Sequence, residues 1–164
     1  MAIDLGSKAP LFSLKNQDGE LVSLEANLQK KWTVLYFYPK ADTPGCTKQA
    51  CAFRDSLKVI EKEGAVVYGI STNSVQDLKD FQKKYNLNFT LLSDPDATVS
   101  KQYDAKYPLL KIAKRYTYIV DPELKIRSID TDVDPVLDAK KVSEKLIELQ
   151  KAAAKSEDKK NPVK

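Results

Sequence analysis

Two cysteines, Cys46 and Cys51, are the only thiols in this 164-residue chain, and it contains no histidine. Those two facts narrow the available chemistry sharply. Without an imidazole there is no Ser-His-Asp triad, Cys-His dyad, HExxH zinc motif or His-ligated haem. Two thiols are too few for an all-cysteine zinc site or an iron–sulfur cluster within one chain. The reacting groups must come from thiols, carboxylates, Arg, Lys, hydroxyls or backbone, and no metal or other cofactor is expected.

The segment Tyr38-Pro-Lys-Ala-Asp-Thr-Pro-Gly-Cys46-Thr47 is the most informative. Thr43 suits a helix N-cap, and Pro44 suits the first helical position, where its missing N–H costs nothing. Cys46 then becomes the third residue of the helix. Its sulfur faces unpaired backbone N–H groups and the positive end of the dipole, which favours thiolate over thiol. Magnitudes show that this alone is not enough. Bringing a cysteine from about 8.5 to about 6 takes roughly 3.4 kcal/mol, and a helix terminus supplies at best about 2 kcal/mol. A cation must add the remainder. Of the three arginines, Arg54 lies eight residues along the same helix, about 12 Å down its axis, too far to reach the sulfur. Arg115 and Arg127 remain, and Arg115, entering a central strand, is the better candidate. Lys40 and Lys48 would offer point charges rather than a rigid fork.

A simpler reading makes both cysteines inert, buried small residues. The Pro and Gly around a strand-to-helix thiol speak against it, because a loop feeding a helix N-terminus presents the sulfur. A permanent structural disulfide fits less well. Five residues on an ideal helix separate Cα atoms by about 8.6 Å, whereas a disulfide needs less than about 7 Å.

The elements that must hold this segment follow from periodicity and breakers. Leu11–Leu14 and Leu21–Leu24 flank Asp18-Gly19, a hairpin signal. Thr33–Tyr38 and Ala65–Ile70 read as buried strands. Between them, Ala50, Phe53, Leu57 and Ile60 keep helical spacing up to a stop at Gly64. Ser74–Tyr85 is helical, Phe89–Leu92 a short strand and Asp94–Tyr103 a helix. Tyr116–Val120 and Leu124–Ile129 form a second hairpin around Asp121-Pro122-Glu123, and Val136–Ala153 is a final amphipathic helix. A hairpin, then βαβα, a short strand and helix, then ββα, implies an α/β protein. We expect a thioredoxin fold with an N-terminal β-hairpin extension and a central mixed sheet flanked by helices.

The domain is expected to span 1–153, with a basic, flexible tail over 154–164. The net charge of +4 is concentrated at the end: residues 151–164 carry five Lys against one Asp and one Glu, leaving the body at 22 minus 21, or +1. So balanced a body gives no electrostatic footprint for nucleic acid. No apolar run approaches the roughly 18 residues of a membrane span. The first residues lack the apolar core of a signal peptide. No nucleic-acid or membrane partner is expected, and the location is expected to be cytoplasmic, or organellar or exported if a leader has been removed.

Pro39-x-x-x-Thr43-x-x-Cys46 matches the active-site pattern of the peroxiredoxins. The longer string Thr43-Pro-Gly-Cys46-Thr-Lys-Gln-Ala-Cys51-Ala-Phe-Arg-Asp55 resembles the peroxiredoxin Q subfamily, also called bacterioferritin comigratory protein. The likeness runs over roughly residues 5–150. It includes Ala9–Leu14, Tyr68–Ser71, Leu91–Asp94 and Arg115–Asp121. The resemblance implies a thiol peroxidase that needs no cofactor. Cys46 would be the peroxidatic thiol, oxidised by hydrogen peroxide or an organic hydroperoxide to a sulfenic acid. Cys51 would resolve it as an intramolecular disulfide, recycled by thioredoxin or a similar dithiol. Thr43 would hydrogen-bond the peroxide, Pro39 would shield the pocket, and Arg115 would stabilise thiolate and polarised peroxide. A monomer or weak dimer is expected. A protein thiol–disulfide oxidoreductase would instead carry Cys-x-x-Cys, and a redox-inert binding module on the same fold would need no reactive thiol. The chain departs from the subfamily over Asp104–Lys114, where a Gly- and Trp-containing loop is usual.

Overall fold

The structure is a computed structural model that describes the backbone of residues 3–160 and the side chains of residues 3–155. Its strands are β1 (Ser13–Asn16), β2 (Leu21–Ser23), β3 (Trp32–Phe37), β4 (Ala65–Ser71), β5 (Thr90–Ser93), β6 (Thr117–Val120) and β7 (Ile126–Asp130). Its helices are α1 (Pro44–Lys62), α2 (Val75–Tyr85), α3 (Thr98–Gln102) and α4 (Asp138–Lys160), with a 3-10 turn at Leu24–Asn27. The strands form one sheet in the order β2-β1-β5-β4-β3-β6-β7. β3, β4 and β5 run parallel, and the remaining pairs are antiparallel. This is the mixed, helix-flanked sheet with an N-terminal hairpin that the pattern of elements implied.

Strand β3 is the axis of the molecule. All six of its residues are buried, and alternate side chains serve opposite faces. Val34 and Tyr36, with Tyr38 just beyond, join the core under α1, α2 and α4. Leu35 and Phe37 join a second core with Phe12, Tyr103 and Tyr118, on the α3 side. The sequence is accordingly apolar at nearly every position of β3, rather than alternating as a half-exposed strand would be.

Most predicted boundaries shift by a residue or two. Two elements differ more. The predicted helix over Asp94–Tyr103 is confined to Thr98–Gln102, because the buried Asp94 carboxylate accepts hydrogen bonds from the Val99 and Ser100 amides and the Ser100 hydroxyl. Those bonds hold 94–97 as a turn rather than as helix. The final helix starts later than predicted, at Asp138, and runs past Ala153 to Lys160. Of the tail expected over 154–164, residues 161–164 lie outside the described residues. Among the described residues no helix is long and apolar enough to cross a membrane.

Topology fixes the place of chemistry. β3 and β6 are antiparallel, with Tyr36 opposite Thr117, and the Phe37 amide donates to the Tyr116 carbonyl. The residues just before β6, Arg115 and Tyr116, therefore sit at the carboxyl end of β3, where α1 begins. Arg115 is brought to Cys46 across 69 residues of sequence by this single antiparallel pairing.

Candidate active site

The loop from β3 to α1 is pinned at several points. The Ala41 amide donates to Asn73 Oδ1 at 2.8 Å. Asp42 adopts a left-handed conformation, φ 59°, and its carboxylate takes hydrogen bonds from Lys84 Nζ at 2.9 Å and the Tyr85 hydroxyl at 2.7 Å. These two contacts hold the Asp42 carboxyl below its usual range, Lys84 contributing most. An aspartate is among the residues best able to occupy this backbone region. Its ties to the end of α2 anchor the turn that launches α1.

The helix then starts as the sequence suggests, with one correction. Thr43 occupies the N-cap with extended backbone, φ −108° and ψ 156°, and Pro44 is the first helical residue. The Thr47 amide closes the first turn on the Thr43 carbonyl. The Thr43 side chain makes no cap hydrogen bond. Its hydroxyl instead donates to the Lys40 carbonyl at 2.7 Å. Pairing within the tight 40–43 turn wins over capping because the Lys40 carbonyl lies within reach and lacks a strand partner. The hydroxyl keeps its lone pairs for another donor.

Cys46 is buried, at 2% exposure, and Cys51 is half-buried; both are free thiols. Arg115 Nη2 donates to Cys46 Sγ at 3.3 Å. Arg127, the other arginine in reach on sequence grounds, pairs with Asp121 at 3.3 Å. Arg54 is engaged with Asp55 and the Tyr85 carbonyl, while Lys40 and Lys48 are exposed. Pro39 is half-buried and directly follows Tyr38, whose amide donates to the Ile70 carbonyl, so the proline stands where the ladder ends. Gly45 has its own reason to be glycine. A Cβ there would lie 3.1 Å from Arg115 Nη2, so the bare backbone makes room for the guanidinium.

Sequence reasoning missed three residues behind this pair. Gln49 Oε1 accepts from Arg115 Nη1 at 2.7 Å, and Gln49 Nε2 donates to Asp138 Oδ2 at 2.9 Å. The Thr117 hydroxyl donates to the same Asp138 oxygen at 2.7 Å. All three are buried. Burial pushes the Asp138 carboxyl up to about 6, against the lowering effect of its bonds to Thr117 and Gln49. A signal was available. Gln49 shares the buried face of α1 with Cys46, Ala50 and Phe53, and Asp138 opens the helix whose Ala139, Val142 and Leu146 are buried. A polar residue on an apolar face needs a partner. Two such residues on packed elements are candidates for each other.

Residues 5–129 match the model of the AhpC/TSA family. The chain belongs to that family. A peroxiredoxin bcp of Coxiella burnetii (strain RSA 493 / Nine Mile phase I) is 48% identical over 129 residues, covering 75% of this chain and 85% of that protein. The chloroplastic peroxiredoxin Q of Oryza sativa subsp. japonica is 48% identical over 120 residues, and this chain matches 55% of its length. Among solved structures, peroxidoxin BcpB from Mycobacterium tuberculosis superposes with a TM-score of 0.83 at 34% identity, covering 88% of this chain and 96% of that one. This peroxiredoxin is thus of the Q, or bacterioferritin comigratory, type, and is a thiol peroxidase. Enzymes of this kind act on peroxides and draw electrons from thiol reductants.

Proposed function

We propose that this peroxiredoxin reduces hydrogen peroxide and organic hydroperoxides with Cys46 as the attacking thiol and Cys51 as the resolving one. The contact between Arg115 Nη2 and Cys46 Sγ carries the reading. It gives a buried sulfur at a helix N-terminus a fixed positive partner, as an anionic nucleophile requires. Cys46 thiolate attacks the distal peroxide oxygen. The terminal OH passes to sulfur as the O–O bond breaks, giving a sulfenic acid, and the departing oxyanion leaves as water or alcohol after taking a proton from solvent, the equivalent of the one the thiol lost. Arg115 faces the charge that develops on the peroxide oxygens. The proton of the Thr43 hydroxyl is committed to Lys40, so Thr43 accepts a hydrogen bond from the incoming peroxide and orients it. Pro39 narrows access and limits water. A Xanthomonas campestris bacterioferritin comigratory protein, 28% identical, has been described for its alkyl peroxide reduction activity, which supports including organic hydroperoxides.

Resolution requires movement. Cys46 and Cys51 lie on one continuous helix, with Cα atoms about 8.6 Å apart and side chains about 140° apart around the axis. The first turns of α1 therefore unwind before the Cys46–Cys51 disulfide closes, losing several backbone hydrogen bonds at about 0.5–1.5 kcal/mol each. Pro44 and Gly45 weaken this end of the helix. The strained disulfide is then opened by exchange with a dithiol such as thioredoxin. Peroxide consumption in a thioredoxin-coupled assay tests the scheme. Cys46→Ser should abolish it, and Cys51→Ser should keep one stoichiometric turnover while losing most recycling. Full steady-state activity in Cys46→Ser would overturn the assignment.

A further inference from the structure

We propose that Asp138 is a positioning residue for peroxide reduction, acting through the Gln49 side-chain amide to hold Arg115 against Cys46. The inference rests on the Cys46–Arg115 reading above. A guanidinium has only donors, so the Gln49 oxygen must face Arg115. The amide nitrogen must then face away, into a protein interior where an unpaired donor is costly. Asp138 Oδ2 is the acceptor that satisfies it, at 2.9 Å, and Thr117 holds that oxygen in place from β6. The chain of contacts is directional. With Asp138 as acceptor, Gln49 has one satisfied orientation, and in it Arg115 is held by Nη1 with Nη2 directed to the sulfur. Without that acceptor the amide is free to turn, and its nitrogen would then oppose the guanidinium.

The arrangement holds in either charge state of the carboxyl. A proton on Asp138 goes to Oδ1, and Oδ2 keeps accepting from Gln49 and Thr117. Burial brings this carboxyl to about 6. The groups facing it are Asp130 of β7, which favours the neutral form, and Lys141 of α4, which opposes it. Lys145 lines the same cleft of about 230 Å³, between β6, β7 and α4, that reaches Asp138. From β3 comes Tyr36, kept neutral by burial, and from α1 come Gln49, with Arg115 behind it, and Cys46.

Two rates separate this role from a merely structural one. Alkylation of Cys46 by iodoacetamide follows the thiolate alone, whereas peroxide attack also needs Arg115 in place. Their ratio therefore cancels the ionisation of the thiol. In the wild-type protein the ratio of peroxide rate to alkylation rate should stay level as pH drops through about 6, because Oδ2 accepts in both charge states. In Asp138→Asn, which keeps a neutral acceptor oxygen at every pH, the ratio should stay level from pH 5 to 8. At pH 7.5 it should lie within about threefold of wild type. Asp138→Ala should lower the ratio roughly 10- to 100-fold, the scale of small misplacements of a reacting group. A folded Asp138→Ala protein with an unchanged ratio would overturn the proposal, and so would an Asp138→Asn ratio more than about tenfold below wild type at pH 7.5. If the alanine variant fails to fold, the comparison of wild type with Asp138→Asn still decides. Failure of the underlying Cys46 reading is distinguishable, because it would show as peroxide turnover in Cys46→Ser.

Discussion

Two segments deliver the two halves of the site, and they are built very differently. The segment Tyr38–Cys46 is tied down along its length, by Ile70 at Tyr38, Asn73 at Ala41, and Lys84 and Tyr85 at Asp42. The segment Asp104–Lys114 is secured at its base, with one exposed ion pair, Lys111 to Asp96 at 3.6 Å, nearer its tip. Ala105 and Ala113 are fully buried, Lys106 and Ala113 form an isolated antiparallel bridge, and the Lys114 amide donates to the Ala105 carbonyl. Beyond that base the chain turns back, with the Tyr107 amide on the Ile112 carbonyl, and Leu109 at the tip is completely exposed. In the proposed mechanism a thiol must be held together with its loop, because the attacking Cys46 and the Thr43 hydroxyl that would receive peroxide lie three residues apart on it. An arginine needs only a firm point of entry. Once Ala113 and Lys114 are fixed, the antiparallel start of β6 places Arg115, and the tip is free to vary. The departure that the sequence resemblance leads one to expect falls over this segment.

The largest effect should come from cutting the link between the two segments. Arg115→Ala should slow peroxide attack by roughly 10²- to 10³-fold, the usual consequence of losing one electrostatic donor, even at a pH where the thiol is fully ionised. Stopped-flow reduction of peroxide by the pre-reduced protein measures it. An unchanged rate would mean that the two segments are not joined through this residue.

A smaller effect concerns the support behind the link. The Asp138 carboxyl is raised by burial from 3.8 to about 6, so the folded chain binds this proton more tightly than the unfolded chain. The stability it contributes is fully present below about pH 4 and is lost as pH rises through about 6. Asp138→Asn has no such dependence. Between pH 4 and pH 7 the stability of the wild type relative to that variant should fall by about 3 kcal/mol, measured by urea denaturation. A difference independent of pH would place Asp138 in a more solvated setting than its burial implies.

The smallest effect should come from the tip. Leu109 has positive φ, 63°, and Asn tolerates that region well. Leu109→Asn should change stability by less than about 0.5 kcal/mol and leave the peroxide rate unaltered. A large loss of rate would show that the exposed tip takes part in the site and would erase the contrast between the segments.

Much of this was legible in the sequence, for reasons that differ by residue. Strands β3 and β4 are nearly continuous apolar runs, and Pro44 and Gly64 bracket α1, so local signals sufficed. The choice of Arg115 over Arg127 followed from asking which arginine enters a central strand, and the structure pairs Arg127 with Asp121 instead. The Thr43 hydroxyl could not be assigned from capping rules, because a short turn gave it a nearer carbonyl. The Gln49–Asp138 contact spans 89 residues, and no local pattern encodes it. Only the packing of α1 against α4 brings the two polar side chains together.

The account rests on Cys46 being the atom that peroxide oxidises, and one trapping experiment addresses that directly. Reduced Cys51→Ser protein is mixed with one equivalent of hydrogen peroxide in the presence of dimedone, which captures sulfenic acid, and the adduct is mapped by mass spectrometry. The account predicts a stoichiometric adduct on Cys46, and no adduct in a parallel Cys46→Ser sample that retains Cys51. Rapid, stoichiometric labelling of Cys51 in the Cys46→Ser protein, with Cys46 unlabelled in the Cys51→Ser protein, would contradict it.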